Sequence, residues 1–325
     1  MPLPRVFVLL IYSIASVGYV KNMLQLSPLY DPEETEYWNT DAEGNRLSPA
    51  ESPEINFWSD KTVEVIAAEC VKLLEGGAYA VWVSEEDGVL YPRQVPEDTV
   101  PYEYAPGAYV DPQAENYLST VFISFVNKVA RKVKETVPDG IIVTFAYAVA
   151  NCPPECEIEE NVLIVDAVIK EDMCNPLDSD VTRGKKMEEA LTRYGDWLRE
   201  YAEKTKKIAM YNYCGCWRAS NQYTRPIWDR IQADFRHYVD LGLLGVWSEG
   251  VGDGPGKWEW ASSDEAFPSH GWDLNGITYW LYGKLAWNPY EDVDALIELY
   301  CDRVYGDASP FMKEYYRLSE LLGHE

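Results

Sequence analysis

The feature that most constrains this chain is a recurring alternation of short apolar runs with longer stretches of helical period. Runs rich in Val, Ile and Tyr stand at 6–12, 79–84, 140–147, 161–168, 207–213 and 243–248, with a weaker one at Ile55-Asn-Phe-Trp58. Between them, Thr62 to Leu74 places Val63, Ile66, Ala67 and Val71 on one face, and Asn116 to Val137 does the same with Val121, Phe125, Val129 and Val133. Met187 to Tyr201, Pro226 to Leu241, Leu274 to Trp287 and Val293 to Val304 repeat the pattern. Pro138-Asp139-Gly140 stops one helix before the next strand. Buried strands alternating with amphipathic helices imply a parallel sheet covered by helices. The first strand is followed by no GxGxxG, and no GxxxxGK[ST] occurs, so the nucleotide-binding folds lack their fingerprints. About seven strands fit an α/β fold of the (β/α)8 TIM-like barrel type, an irregular one, with extra C-terminal helices over 274–322 wrapping it. The eighth strand is weakest, with 266–272 as its candidate, and a doubly wound sheet is the alternative architecture.

Barrels of this kind run to roughly 250 residues or more as one domain, so 1–325 reads as a single catalytic barrel domain. Its first segment has two readings. Val6-Phe-Val-Leu-Leu-Ile11 reads as a buried first strand. The stretch 1–18 also reads as a signal-like segment cleaved after Gly18, although its n-region has one positive charge, and it is too short and interrupted to span a membrane.

Long loops follow Ser84 (85–114), Tyr147 (148–160), Tyr213 (214–225) and Glu249 (250–272). All four lie on the carboxyl side of a strand, where a barrel keeps its chemistry. The segment 28–54, long, acidic and Pro-rich, is expected over the same or a neighbouring face.

Two acidic clusters stand at these strand ends. In Gly245-Val-Trp-Ser-Glu-Gly250, Trp247 shares the face of Glu249 under a period of two. A carboxyl beside an indole is desolvated, which raises its pKa as a general acid requires. In Val83-Ser-Glu-Glu-Asp-Gly88, three carboxylates follow a strand. The structural alternatives are an ion pair or helix cap for Glu249 and a solvated Asp-Gly turn for the second cluster. Together the clusters supply a carboxylate pair, the minimum equipment for glycoside hydrolysis.

Other chemistries are poorly served. There is no GxSxG and no HExxH. His237 sits mid-helix and His270 in a loop. The seven cysteines include the close pairs Cys152-x3-Cys156 and Cys214-x-Cys216 but no CxxC, and read as ordinary thiols; no metal and no cofactor is expected. With 28 Lys+Arg against 54 Asp+Glu, the net charge of −26 argues against nucleic acid and against an anionic membrane surface. Tyr and Trp total 36 against 8 Phe, and Trp82, Tyr147, Tyr211, Tyr213, Trp217, Trp247, Trp258, Trp260 and Trp272 crowd the strand ends. Rings with an apolar face and a polar handle suit the C–H faces of sugars, although core packing accounts for many such residues.

The order of several segments resembles one bacterial family. They are Phe125-Val-Asn127-Lys-Val-Ala130, Pro138-Asp139, Phe145-Ala-Tyr147, Pro153-Pro154, Cys174-Asn175, Tyr211-Asn-Tyr213, Pro226, Gly245-Val246 with Glu249-Gly250, and Leu285-Ala-Trp287-Asn288-Pro289. Over roughly 55–320 the chain is similar to glycoside hydrolase family 163, endo-β-N-acetylglucosaminidases acting on complex N-glycans. The resemblance implies a TIM-like barrel, cleavage of the GlcNAcβ1-4GlcNAc core, and a retaining mechanism assisted by the substrate's own 2-acetamido group. It implies Glu249 as general acid/base and Asp87 as the carboxylate that orients the acetamido group or binds sugar, with Glu86 next in line. The candidate sugar contacts are Trp82, Asn127, Tyr147, Tyr211, Tyr213, Trp217, Trp247 and Trp272; the resemblance further implies glycoproteins as partners and a secreted, periplasmic or cell-surface location. The family's usual cysteine cluster after the strand-end acid is missing from 88–114. Another glycosidase (exo-hexosaminidase, sialidase or glucuronidase) and a non-catalytic glycan-binding barrel remain alternatives.

Overall fold

The computed structural model of the chain describes residues 19–41, 43–86, 99–168, 175–179, 193–213, 226–248 and 271–323. The run at 6–12 lies outside them. Eight helices occur among the described residues: α1 Val20–Leu26, α2 Asp60–Glu75, α3 Tyr117–Thr136, α4 Tyr194–Lys204, α5 Trp228–Leu241, α6 Gly271–Trp287, α7 Val293–Tyr305 and α8 Ser309–Gly323. The strands are β1 Ala80–Trp82, β2 Tyr102–Ala105, β3 Ala108–Val110, β4 Ile141–Ala146, β5 Val162–Ala167, β6 Ile208–Asn212 and β7 Val246–Ser248. The architecture is mixed α/β. A five-stranded sheet has the order β1-β4-β5-β6-β7, its β1–β4, β4–β5 and β6–β7 ladders are parallel, and among the described residues it is open.

Three expectations change. Ile55 to Trp58 is no strand: Ile55 makes only an isolated antiparallel bridge with Trp38. Asn56 accepts the N–H of Trp58 at 3.1 Å and turns the chain toward Ser59, whose side chain caps α2. Residues 271 and 272, the end of the candidate eighth strand, open α6 instead. The fully buried Ile277, Leu281 and Leu285 recur every four residues there, a helical period. Within 85–114, β2 and β3 form an antiparallel hairpin that turns at Gly107, with φ +75°.

The contacts divide the chain into two compact units. The first comprises the described residues up to 167 together with 197–209. Helices α2 and α3 pack on each other, and Val63, Ile66 and Cys70 of α2 and Val126, Val129 and Val133 of α3 are all buried. Phe57 sits against Phe122 and Phe125, ring centres 5.1 and 5.3 Å away. All six residues of β5 are buried, as a strand covered on both faces requires. The amide of Asn161 donates to the carbonyls of Ala130 and Gly140, at 3.0 and 3.1 Å, tying α3 to the turn that feeds β4.

The second unit holds 168–196 and 210 onward. Helix α5 ends at Gly242, left-handed at φ +78°, as a helix stop favours. Its Arg230 and Asp234 form a buried ion pair at 3.1 Å, and Asp234 also accepts the N–H of Leu177 at 2.7 Å, so the buried charge is both paired and hydrogen-bonded. Trp228 donates to Thr278 on α6 at 3.1 Å and meets Tyr316 of α8 edge-on at 5.6 Å.

Gly140 is required where it stands. A Cβ there would lie 2.9 Å from side-chain carbons of both Leu74 and Val133 and 3.0 Å from the carbonyl oxygen of Val137. Gly140→Ala is expected to lower stability by about 1–3 kcal/mol, as overpacking does. A urea unfolding midpoint unchanged from the parent would show that this junction yields freely.

Candidate active site

The carboxyl end of β1 gathers acidic side chains. The ladder pairs Trp82 with Val143, and the chain runs on extended through Ser84, which bridges Tyr19. A period of two puts Trp82, Ser84 and Glu86 on one face and Val83 and Glu85 on the other. Phe145 lies two residues beyond Val143 on the Trp82 face, and the Trp82 and Phe145 rings stand 4.7 Å apart. Tyr147 follows on the same face, half-buried.

Glu86 is half-buried and held by backbone rather than by cations. Its carboxylate accepts the N–H of Lys21 at 3.1 Å, and its own N–H donates to the carboxylate of Glu54. Glu54 is wholly buried, and its second oxygen accepts the N–H of Ile55 at 3.2 Å. Ser52 fixes that corner: it donates to the Glu54 carbonyl at 2.5 Å, accepts from the Asn39 N–H at 3.0 Å, and offers its carbonyl to the Lys21 ammonium at 2.6 Å. Burial raises the Glu86 carboxyl above the usual glutamate range, and Lys21 offsets part of that rise.

The other face of the sheet holds a second polar group. Glu85, Thr144 and Asp166 are buried there, with Tyr201 of α4 completely so. Burial raises the Tyr201 phenol well above its ordinary pKa, and the negative charges of Asp166 and Glu85 add to the effect. Tyr201 donates to the carbonyl of Ala150 at 2.6 Å. That bond holds the turn after β4, where Ala148 is the one non-glycine residue of positive φ (+44°) among the described residues.

The other sequence candidates distribute as follows. Asn127 is on α3, buried, with its amide clamping the loop before β5: it donates to the Glu157 carbonyl at 2.7 Å and accepts the Glu159 N–H at 2.9 Å. Tyr211, half-buried in an otherwise buried β6, pairs with Trp247 in β7, and its ring meets that of Tyr213 edge-on at 5.3 Å. Trp272 falls in the first turn of α6. Glu249, Asp87 and Trp217 lie outside the described residues, as do Trp258, Trp260 and His270; β7 ends at Ser248, one residue before Glu249. His237, on α5, stands 3.7 Å from the Asp178 carboxylate. Cys70, Cys156 and Cys301 are free thiols. Among the described residues no three His, Cys, Asp or Glu side chains are grouped to hold a metal ion. No described helix is long and apolar enough to cross a membrane.

Sequence reasoning missed Glu54, Asp166 and Tyr201. Asp166 was readable, as an acid near the carboxyl end of an otherwise apolar strand. Glu54 gives no such sign in its acidic, Pro-containing surroundings.

Chemically, the end of β1 offers a partly desolvated carboxyl whose raised pKa favours its protonated form, on the strand face that also carries Trp82. The chain belongs to the DUF4838 family, described as a domain of unknown function, whose model matches residues 27–317. No curated protein matches it.

The Glu86 assignment can be titrated. Because burial favours the protonated form in the fold, Glu86 contributes most to stability at low pH, and that contribution is lost as pH rises through the glutamate range toward the raised folded value. Carboxyl-carbon NMR should find Glu86 titrating above the exposed glutamates, and Glu86→Gln should flatten the loss of stability over that window. A midpoint at or below theirs would show that its hydrogen bonds outweigh burial.

Proposed function

We propose that this protein is a glycoside hydrolase, an endo-β-N-acetylglucosaminidase that cleaves the GlcNAcβ1-4GlcNAc core of complex N-glycans. The observation that carries the reading is Glu86, a desolvated carboxyl at the carboxyl end of a parallel strand, two residues of alternation from the Trp82–Phe145 pair. Parallel strands flanked by helices, with acids beyond their carboxyl ends, support the finer proposal that the sheet belongs to a (β/α)8 barrel. The collinear segments shared with glycoside hydrolase family 163 support the substrate class.

In this reading the 2-acetamido oxygen of the substrate attacks the anomeric carbon as the glycosidic bond breaks, forming an oxazoline. Glu249 protonates the departing oxygen and later takes a proton from the water that opens the ring, so configuration is retained. Asp87 accepts the acetamido N–H and stabilises the charge that develops on it. Glu86, next to Asp87 in the chain, is the other candidate for this orienting role. The aromatic rings at the strand ends take the apolar faces of the sugars. By the same family likeness, the protein acts outside the cytoplasm.

Mass spectrometry of a complex N-glycoprotein incubated with the enzyme tests the reading. The expected product is a glycan ending in one GlcNAc, with the other left on asparagine. Release of single sugars would replace the endo assignment with an exo-glycosidase. An unchanged glycoprotein, of complex or high-mannose type, would remove the hydrolase reading.

Two substitutions test the roles. Glu249→Gln should keep the fold and lower turnover by about 10²- to 10⁴-fold, the usual contribution of general acid–base catalysis; an unchanged rate eliminates the assignment. Asp87→Asn should lower turnover more than binding, and only for substrates with the 2-acetamido group. Equal losses on an analogue lacking that group would count against substrate assistance.

A further inference from the structure

Away from the strand ends, the first unit contains an open groove of about 620 Å³. One wall comes from 34–36, Arg46, Asn56, Trp58 and Ser59, ahead of α2; the other comes from 100–103, entering the β2–β3 hairpin. The nearby charges are largely committed. Lys61 bridges Glu34 and Glu36 at 2.7 and 2.9 Å, and Ser59 donates to Glu36 at 2.6 Å. Glu103 accepts the N–H of Gly107 at 2.8 Å. Arg46 donates one guanidinium N–H to the carbonyl of Trp38 at 2.7 Å and keeps others, since a guanidinium carries five.

The aromatic lining has one polar handle to spare. The Trp58 indole N–H is buried and has no acceptor among the described residues. Burial pushes the Tyr102 phenol up to about 12, so it stays neutral at working pH.

This lining selects a ligand class. An anion would face three carboxylates. A cation would compete with Lys61 for two of them. A wholly apolar ligand would strip water from the Arg46 guanidinium without replacing it. A neutral polyol with apolar C–H faces meets both requirements: its rings stack on Trp58 and Tyr102, and its hydroxyls bond to the arginine and carboxylate groups.

We propose that this groove is an accessory carbohydrate-binding site for neutral hexose and N-acetylhexosamine units. The choice of a glycan rests on the hydrolase reading above, but the site is separate from its chemistry. Segment 54–58 links the two. It carries Glu54 against Glu86 and, four residues on, Trp58 into the groove. Four residues of chain span at most about 14 Å, within reach of one extended oligosaccharide.

The test is an amide and indole 1H–15N NMR titration of the full-length protein with N-acetyllactosamine. The Trp58 indole signal is identified by its loss in Trp58→Phe. That signal should shift saturably in the parent, and Arg46→Ala should weaken the apparent affinity at least about threefold, with the spectrum otherwise folded. A Trp58 signal that stays still overturns the proposal. So does a shift that Arg46→Ala leaves at full strength, or one produced by trilysine and not by the sugar. The glycoprotein assay is independent. Glycan release with a silent Trp58 removes the groove and keeps the hydrolase, whereas a shifting Trp58 without release keeps the groove and removes the hydrolase.

Discussion

The first unit depends on the burial of its parallel strands on both faces. All six residues of β5 are buried, so its N–H and C=O groups have no recourse to water and must be met by neighbouring strands. That requirement makes β4 and β5 short, mainly apolar runs and leaves their acids at or beyond the carboxyl ends. It also fixes the register: Val143 lies opposite Trp82 on one side and Leu163 on the other. A slip of one residue would turn Trp82 and Glu86 to the opposite face. The location of the acidic groups is therefore a consequence of strand packing before it is a consequence of function.

Gathering those acids is costly in a chain of net charge −26. Glu54, Glu85 and Glu86 are close in space or sequence, and like charges in a partly dry setting raise one another's energy. The structure offsets this with oriented backbone dipoles more than with cations. The N–H groups of Lys21, Ile55 and Glu86 point at carboxylates, while the Lys21 ammonium is directed to the Ser52 carbonyl. Backbone donors are rigid and lose little entropy on bonding, so they hold a carboxylate in a set direction. They supply less charge than an ammonium would, and Glu86 accordingly keeps a raised pKa. Fixed direction with a weakened hold on the ionised form suits a group that exchanges a proton.

Much of the framework was legible in the sequence because it is periodic. Helices α2 and α3 and strands β4, β5 and β6 fall within a few residues of their apolar patterns. The hairpin was hidden among prolines, although Tyr102-Glu-Tyr104 and Gly107 carry an alternation and a turn signal. Ile55 to Trp58 deceived because three apolar residues in four resemble a strand, whereas a single side-chain bond from Asn56 and the cap at Ser59 decide the local path. The site was legible only by residue type. Sequence marked Glu86 and Trp82, but the partner that orients Glu86 is thirty-two residues earlier. Asn127 shows the converse: its position in a matching segment suggests a sugar contact, and its amide is spent on the loop before β5.

The turn after β4 shows how strain and burial are joined at the strand ends. Ala148 adopts φ +44°, which costs an alanine on the order of 1–3 kcal/mol and persists only where the surroundings over-determine it. Its constraint is close by. The Ala150 N–H returns to the Tyr147 carbonyl at 2.7 Å, and the Ala150 carbonyl receives the Tyr201 hydroxyl at 2.6 Å. Tyr201 is fully buried, and its phenol, protonated at any working pH, is raised further by burial and by the negative charges of Asp166 and Glu85. The phenol on the face that carries Asp166 and Glu85 thus braces the turn that follows Tyr147.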